Sequence, residues 1–139
     1  MKSEERRVKS EFDISSEGPL RNKTRDFALR IIKLYKHLTE NYKEYVMSKQ
    51  ILRSGTSIGA NVAEAIYGQS KRDFVAKLSI SLKETSETEY WLDLLHQSEY
   101  INNNEFNSVF ADAEEIRKIL ISSINTSKKS LEKEKMSSD

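Results

Sequence analysis

The chain has 139 residues, no cysteine and a single proline; 32 % of its residues are charged and 37 % are apolar. This length fits one domain, and this balance fits a soluble helical protein better than a sheet sandwich or a disordered chain. Without cysteine there can be no disulfide, thiolate metal site or cysteine nucleophile, and a reducing cytoplasm is the expected compartment.

The first 21 residues mix charges with little apolar content and hold the one proline, Pro19. They read as a flexible arm without the apolar core of a signal peptide. A first helix is expected from Asn22 or Thr24 to about Asn41. Phe27, Ile31, Leu34 and Leu38 recur at steps of four, three and four. Ala28, Ile32 and Tyr35 widen that stripe, so this helix should touch more than one neighbour. A break at 42–47 follows. Ser48 is the expected cap of a second helix, with Met47 and Leu52 as a hydrophobic staple, and Gly68 the expected stop. Ser70 and Asp73 then form a capping pair for a third helix, Lys71 to Gln97, whose inner row is Phe74, Leu78, Leu82, Thr85, Leu92 and Leu95. Asn102 with Glu105 is a second capping box, stapled by Ile101 and Phe106. It opens a fourth helix along Phe106, Val109, Phe110, Ala113, Ile116, Leu120 and Ile124. Residues 126–139 form a tail, frayed or helical, outside the core. Short connections make neighbouring helices antiparallel, so residues 22–125 are expected to form an all-α, up-down-up-down four-helix bundle. No run approaches the roughly 18 apolar residues of a membrane span.

The second helix carries the strongest signal. Residues 48–67 are lined with small side chains, and Gly55 and Gly59 lie one turn apart inside the helix. Glycine weakens a helix interior by about 1 kcal/mol relative to alanine. Close approach by another backbone is the physical reason to keep both. Ser54, Ser57, Asn61 and Glu64 form a polar row on the same helix. Ser54, Gly55, Ser57, Gly59, Asn61 and Glu64 are therefore the candidate helix-packing or subunit-contact residues. The polar row is expected to fix register by hydrogen bonds. Arg53 is expected to pair with Glu84 or Glu87, in the same or an adjacent subunit.

Catalytic chemistry finds little to work with. A carboxylate-bridged di-metal bundle needs two Glu-x-x-His pairs. This chain offers only Asp93-Leu-Leu-His96, since His37 has Leu34 at that offset. Glu84, Glu87 and Glu89 crowd near Trp91, but acid–base work also needs a nucleophile or an oxyanion donor. Ser54 and Ser57 have no evident base. No catalytic residue, metal or cofactor is expected, and the chain reads as a non-enzyme.

Charge leaves two readings open. Residues 1–53 hold 13 Lys/Arg against 8 Asp/Glu, residues 54–139 hold 10 against 14, and residues 84–115 hold nine acids and no Lys or Arg. The two halves can attract each other, within or between subunits. Alternatively, Arg25, Arg30, Lys33, Lys36 and Arg53 can contact phosphates of RNA or DNA, which needs only positive charge on one face.

The run Gln50 to Glu64 (QILRSGTSIGANVAE), followed by Ser70, Asp73-Phe74 and Ser86-Glu87-x-Glu89-Tyr90-Trp91-Leu92, resembles the four-helix bundle proteins encoded within intervening sequences of bacterial 23S rRNA genes. The resemblance covers about residues 24–122. It implies a left-handed antiparallel bundle, assembly into a homopentameric ring, and no established enzymatic activity or catalytic residue. A related group, the accessory proteins of reverse transcriptases in diversity-generating retroelements, binds nucleic acid through a strongly basic surface. This chain differs in its near-zero net charge. The expected function is that of an oligomeric interaction or scaffold protein whose first partner is itself. Nucleic acid bound by the first helix, repeated around the ring, is the alternative.

Overall fold

A computed structural model describes residues 18–138. Four helices follow in order: α1 (Pro19–Tyr42), α2 (Met47–Ile66), α3 (Lys71–Gln97) and α4 (Asn103–Ser138). Each packs on the next, and α1 also packs on α4, so the four close into an up-down-up-down bundle around one core. Ile31, Leu38, Ile51, Ile58, Leu78, Leu92, Leu95 and Leu120 are completely buried in it.

The helix ends show where local chemistry differs from the pattern. α1 starts three residues before Asn22. Pro19 takes the first helical position, where its fixed φ suits the helix and its missing N–H is not needed. Leu20 is buried one residue later. Residues 19–21 of the expected arm are thus helical, and residues 1–17 lie outside the described residues. α1 ends at Lys43, which is left-handed at φ 54°. The Lys43 and Glu44 N–H groups both reach the Leu38 carbonyl.

Ser48 does not cap α2. The Glu44 carboxylate does, accepting from the N–H groups of Val46, Met47 and Ser48 at 3.2, 3.2 and 2.8 Å. An anion at a helix start also meets the positive end of the helix dipole. Ser48 is buried and instead donates its hydroxyl to the Glu44 carbonyl at 2.7 Å. Gly68 follows the end of α2 but is not left-handed. Its reason is space, since an added Cβ would sit 3.1 Å from the Ala65 carbonyl oxygen and 3.3 Å from Asp73 Cβ. Ser70 Oγ then accepts from the Asp73 N–H at 3.1 Å, opening α3.

The Asn102–Glu105 box forms in both directions, at 2.8 and 3.1 Å. Its staple residue Ile101 is buried, and Phe106 packs partly buried against the core and stacks on His96 at 4.1 Å. α4 runs past the core through the tail. Lys71 at the start of α3 holds it there, donating to Ser130 Oγ at 2.6 Å and pairing with Glu134 at 2.8 Å.

Glu44 is the least replaceable cap. Glu44→Ala leaves the N–H groups of Val46, Met47 and Ser48 without their carboxylate acceptor and should lower stability by about 1–2 kcal/mol, within the range of helix caps. Urea unfolding followed by far-ultraviolet circular dichroism checks this, and Ser48→Ala should not reproduce the loss through capping.

Candidate helix-packing site on α2

Gly55 and Gly59 face α1. A Cβ on Gly55 would meet Ile31 Cγ1 at 2.8 Å and Cγ2 at 2.9 Å. A Cβ on Gly59 would lie 3.2 Å from the Thr24 carbonyl oxygen. Ile31 is fully buried and Thr24 nearly so. The neighbour at Gly55 is a stiff β-branched side chain, and the neighbour at Gly59 is backbone itself. The small residues thus admit α1 of the same chain.

The opposite flank of α2 holds α3 by polar contacts. Thr88 Oγ1 lies 2.9 Å from Ser54 Oγ and 2.8 Å from the Glu84 carbonyl oxygen. Each hydroxyl has one proton, so when Thr88 donates to Glu84, Ser54 must donate to Thr88. Ser81 Oγ donates to the Ile58 carbonyl at 2.9 Å, a second bond from α3 onto α2. Ser54, Ser81 and Thr88 are all buried. One hydroxyl pair and one hydroxyl-to-carbonyl bond therefore fix the register of α2 against α3, while avoiding unsatisfied polar groups in the core.

The expected polar row behaves only in part as a register device. Ser54 crosses to α3. Ser57 Oγ instead donates to Arg53 O at 2.6 Å, and Asn61 Nδ2 donates to Ser57 O at 2.8 Å, both within α2. Ser and Asn can bond back to the carbonyl four residues earlier, and here they do. Glu64 is exposed and pairs with Lys77 of α3 at 3.0 Å. Ser81 and Thr88 were not anticipated. Their signal was a spacing of 78, 81, 85, 88 and 92 along one face of α3, which an apolar-only pattern skips.

Arg53 meets both expected partners in its own chain. Nη1 pairs with Glu84 at 2.9 Å and Nη2 pairs with Glu87. Trp91 Nε1 donates to the same Glu87 oxygen at 3.0 Å. The Trp91 N–H first, and Arg53 next, hold the Glu87 carboxyl below the ordinary carboxylate range. The bond to Glu87 in turn raises the Arg53 guanidinium above its ordinary value, against partial desolvation.

The other candidate cations are divided. Arg30 bonds Asp112 and Ser108 of α4 at 2.8 and 2.7 Å. Arg25 is exposed, 3.9 Å from Asp26. Lys33 and Lys36 are exposed and have no ion pair among the described residues. Lys23 with Glu115 adds a second α1–α4 pair at 2.7 Å. Part of the charge asymmetry is therefore spent within the chain. His37 Nδ1 contacts Asn41 at 2.7 Å and His96 Nε2 contacts Asn103 at 2.7 Å. Among the described residues no group of three or more His, Asp or Glu is placed to hold a metal, and no helix is long and apolar enough to cross a membrane.

Two substitutions read this seam. Thr88→Val should lower stability by about 1–3 kcal/mol, because Ser54 loses its short partner while remaining buried. Adding Ser54→Ala should recover part of that loss in a double-mutant cycle. Glu87→Gln tests the charge. The ionised Glu87 contributes stability above the ordinary carboxylate value of 4.5, and that stability is lost as pH falls through its lower folded value. The gap between wild type and Glu87→Gln in urea unfolding should therefore hold between about pH 8 and 5 and close toward about pH 2.

Comparison with known proteins places this architecture. The chain is 56 % identical to a protein of unknown function from the S23 ribosomal protein family of Bacteroides thetaiotaomicron VPI-5482. The 1.70 Å crystal structure of that protein superposes with a TM-score of 0.76, over 76 % of this chain and 98 % of that one. No curated protein matches the chain. Residues 19–122 match the model of the 23S rRNA-intervening sequence proteins, and the chain belongs to that family.

Proposed function

We propose that the protein is a non-enzymatic, self-associating bundle that acts as an interaction or scaffold protein in the cytoplasm, with five copies in a ring. One observation carries the reading. The polar side chains that α2 and α3 offer for chemistry are engaged in structure: Ser54 with Thr88, Arg53 with Glu84 and Glu87, Glu64 with Lys77. Self-association is supported by apolar side chains outside the core, among them Leu29 at 46 %, Ile80 at 43 % and Tyr90 at 56 % exposure. Five is the number the family resemblance implies. Size-exclusion chromatography with light scattering should give five times the single-chain mass, and a single-chain mass at high protein concentration would contradict the proposal.

A second reading keeps one specific support. Arg25, Lys33 and Lys36 are exposed on α1 with no ion pair among the described residues beyond Arg25 with Asp26, whereas Arg30 and Arg53 are bound to acids. Binding of RNA would then run through those three residues. A labelled 23S rRNA fragment should be retained at low salt and released as salt rises. Changing all three to Glu should flatten the log–log salt dependence by about 2–3, nearly one per phosphate contact. No retention at low salt rejects this reading.

A further inference from the structure

At the end of the bundle where α1 stops and α3 turns into α4, an open cleft of about 560 Å³ lies between Tyr42 and the turn residues 96–105. Its aromatic walls are braced. Tyr42 and Tyr100 meet edge to face with ring centres 5.5 Å apart, and His37 meets Tyr42 in the same manner at 5.4 Å. Tyr42 is still 49 % exposed, so part of its ring is open to a ligand. The turn beside it is pinned. Glu99 is left-handed at φ 68°. The N–H groups of Ser98, Glu99 and Tyr100 all donate to carbonyls of the last turn of α3, those of Leu94, His96 and Leu95.

The polar groups of this cleft are acceptors short of donors. Glu99 is exposed and has no ion pair among the described residues. Glu105 accepts from the Asn102 N–H at 3.1 Å and likewise has no ion pair. His96 stacks on Phe106, and its Nε2 donates to Asn103 Oδ1 at 2.7 Å. In the neutral ring Nδ1 is then an acceptor. It is the one buried side-chain nitrogen or oxygen without a partner among the described residues, and such an atom calls for a group that the fold itself does not supply. No Lys or Arg lines the cleft, and residues 84–115 contain none. Two cations border it from outside: Lys43 follows Tyr42, and Lys33 lines a smaller groove on the α1 side of Glu105.

We infer that this cleft binds an aliphatic polyamine. Ammonium groups are donors without acceptors, which is the complement of this lining. A cation over a tyrosine ring is attracted by the ring's negative face, and the methylenes of the ligand cover the rest of the two rings. Glu99 and Glu105 stand on either side of the turn, which suits two ammonium groups on one chain better than a single one. A ligand carboxylate would face both glutamates, so amino acids are excluded. A bare divalent cation needs several oxygen donors close together, and among the described residues no group of three or more His, Asp or Glu is placed to hold one. This inference does not depend on how many copies of the chain associate.

Titration calorimetry of the full chain with spermidine at low salt tests this. Wild type should show saturable binding of one spermidine per chain. Lysine, which adds a carboxylate to the same ammonium chemistry, should give no binding heat. Glu99→Gln combined with Glu105→Gln should weaken spermidine by about ten-fold, as expected for the loss of two exposed charge pairs. Glutamine at 105 can keep the capping box with Asn102, so the helical signal and melting midpoint should hold. Tyr42→Leu should weaken binding by about two- to five-fold, and Tyr42→Phe should restore it, since the ring face and not the hydroxyl meets the cation. Glu132→Gln, on the far tail of α4, should change nothing. Absence of saturable heat with wild type overturns the inference. So does equal affinity in the double variant, or displacement of spermidine by Mg²⁺ at the same charge concentration, because either result reduces the binding to general attraction by an acidic surface. A Tyr42→Phe loss as large as that of Tyr42→Leu overturns the role of the ring.

Discussion

The bundle depends on how closely α1 can approach α2. Gly55 receives Ile31 and Gly59 receives the backbone at Thr24. Each glycine weakens α2 by about 1 kcal/mol in intrinsic helix propensity. The structure returns this through the burial of Ile31 at 0 % exposure and the burial of Thr24 and Phe27 beside it. Overpacking such a contact by one carbon typically costs about 1–3 kcal/mol, which outweighs the gain from alanine at Gly55. At Gly59, where the contact is 3.2 Å rather than 2.8 Å, the two effects nearly balance.

With α1 seated, α2 becomes the element to which both neighbours are fitted, each by a different device. Toward α1 the device is absence of bulk. Toward α3 it is buried hydroxyls, Ser54 paired with Thr88 and Ser81 donating to the Ile58 carbonyl, flanked by the Arg53 fork. Hydroxyl pairs in a core are sensitive to displacement, because a slip of either helix would bury unsatisfied groups. Apolar burial sets how strongly the helices hold, and these pairs set where.

Much of this was legible in the sequence, for reasons that differ by feature. The bounds of α3 and the Asn102–Glu105 box rest on local signals three residues apart, and both appear as read. The Gly55–Gly59 spacing pointed to a close neighbour, and the expected pairing of Arg53 with Glu84 or Glu87 forms with both, within one chain. What pattern could not show was direction of bonding. Ser57 and Asn61 sit at positions able to bond across helices or back along their own, and the folded geometry decides between the two. Glu44 caps α2 from outside the helix, so it lacked the expected Ser-x-x-acid signature. Ser81 and Thr88 were hidden because small hydroxyl residues in a buried row look like gaps in an apolar stripe. Pro19 was placed in the arm, although proline is favoured in a first turn.

Held on both sides, α2 should be the last element to open. Native-state amide hydrogen exchange tests this directly, because opening free energies differ between cooperative units of one fold. The N–H groups of residues 54–62 should exchange only through global unfolding, matching the free energy from urea denaturation. Exchange of that segment through local opening, while α3 and α4 remain protected, would contradict the claim that the glycine contact with α1 secures the bundle.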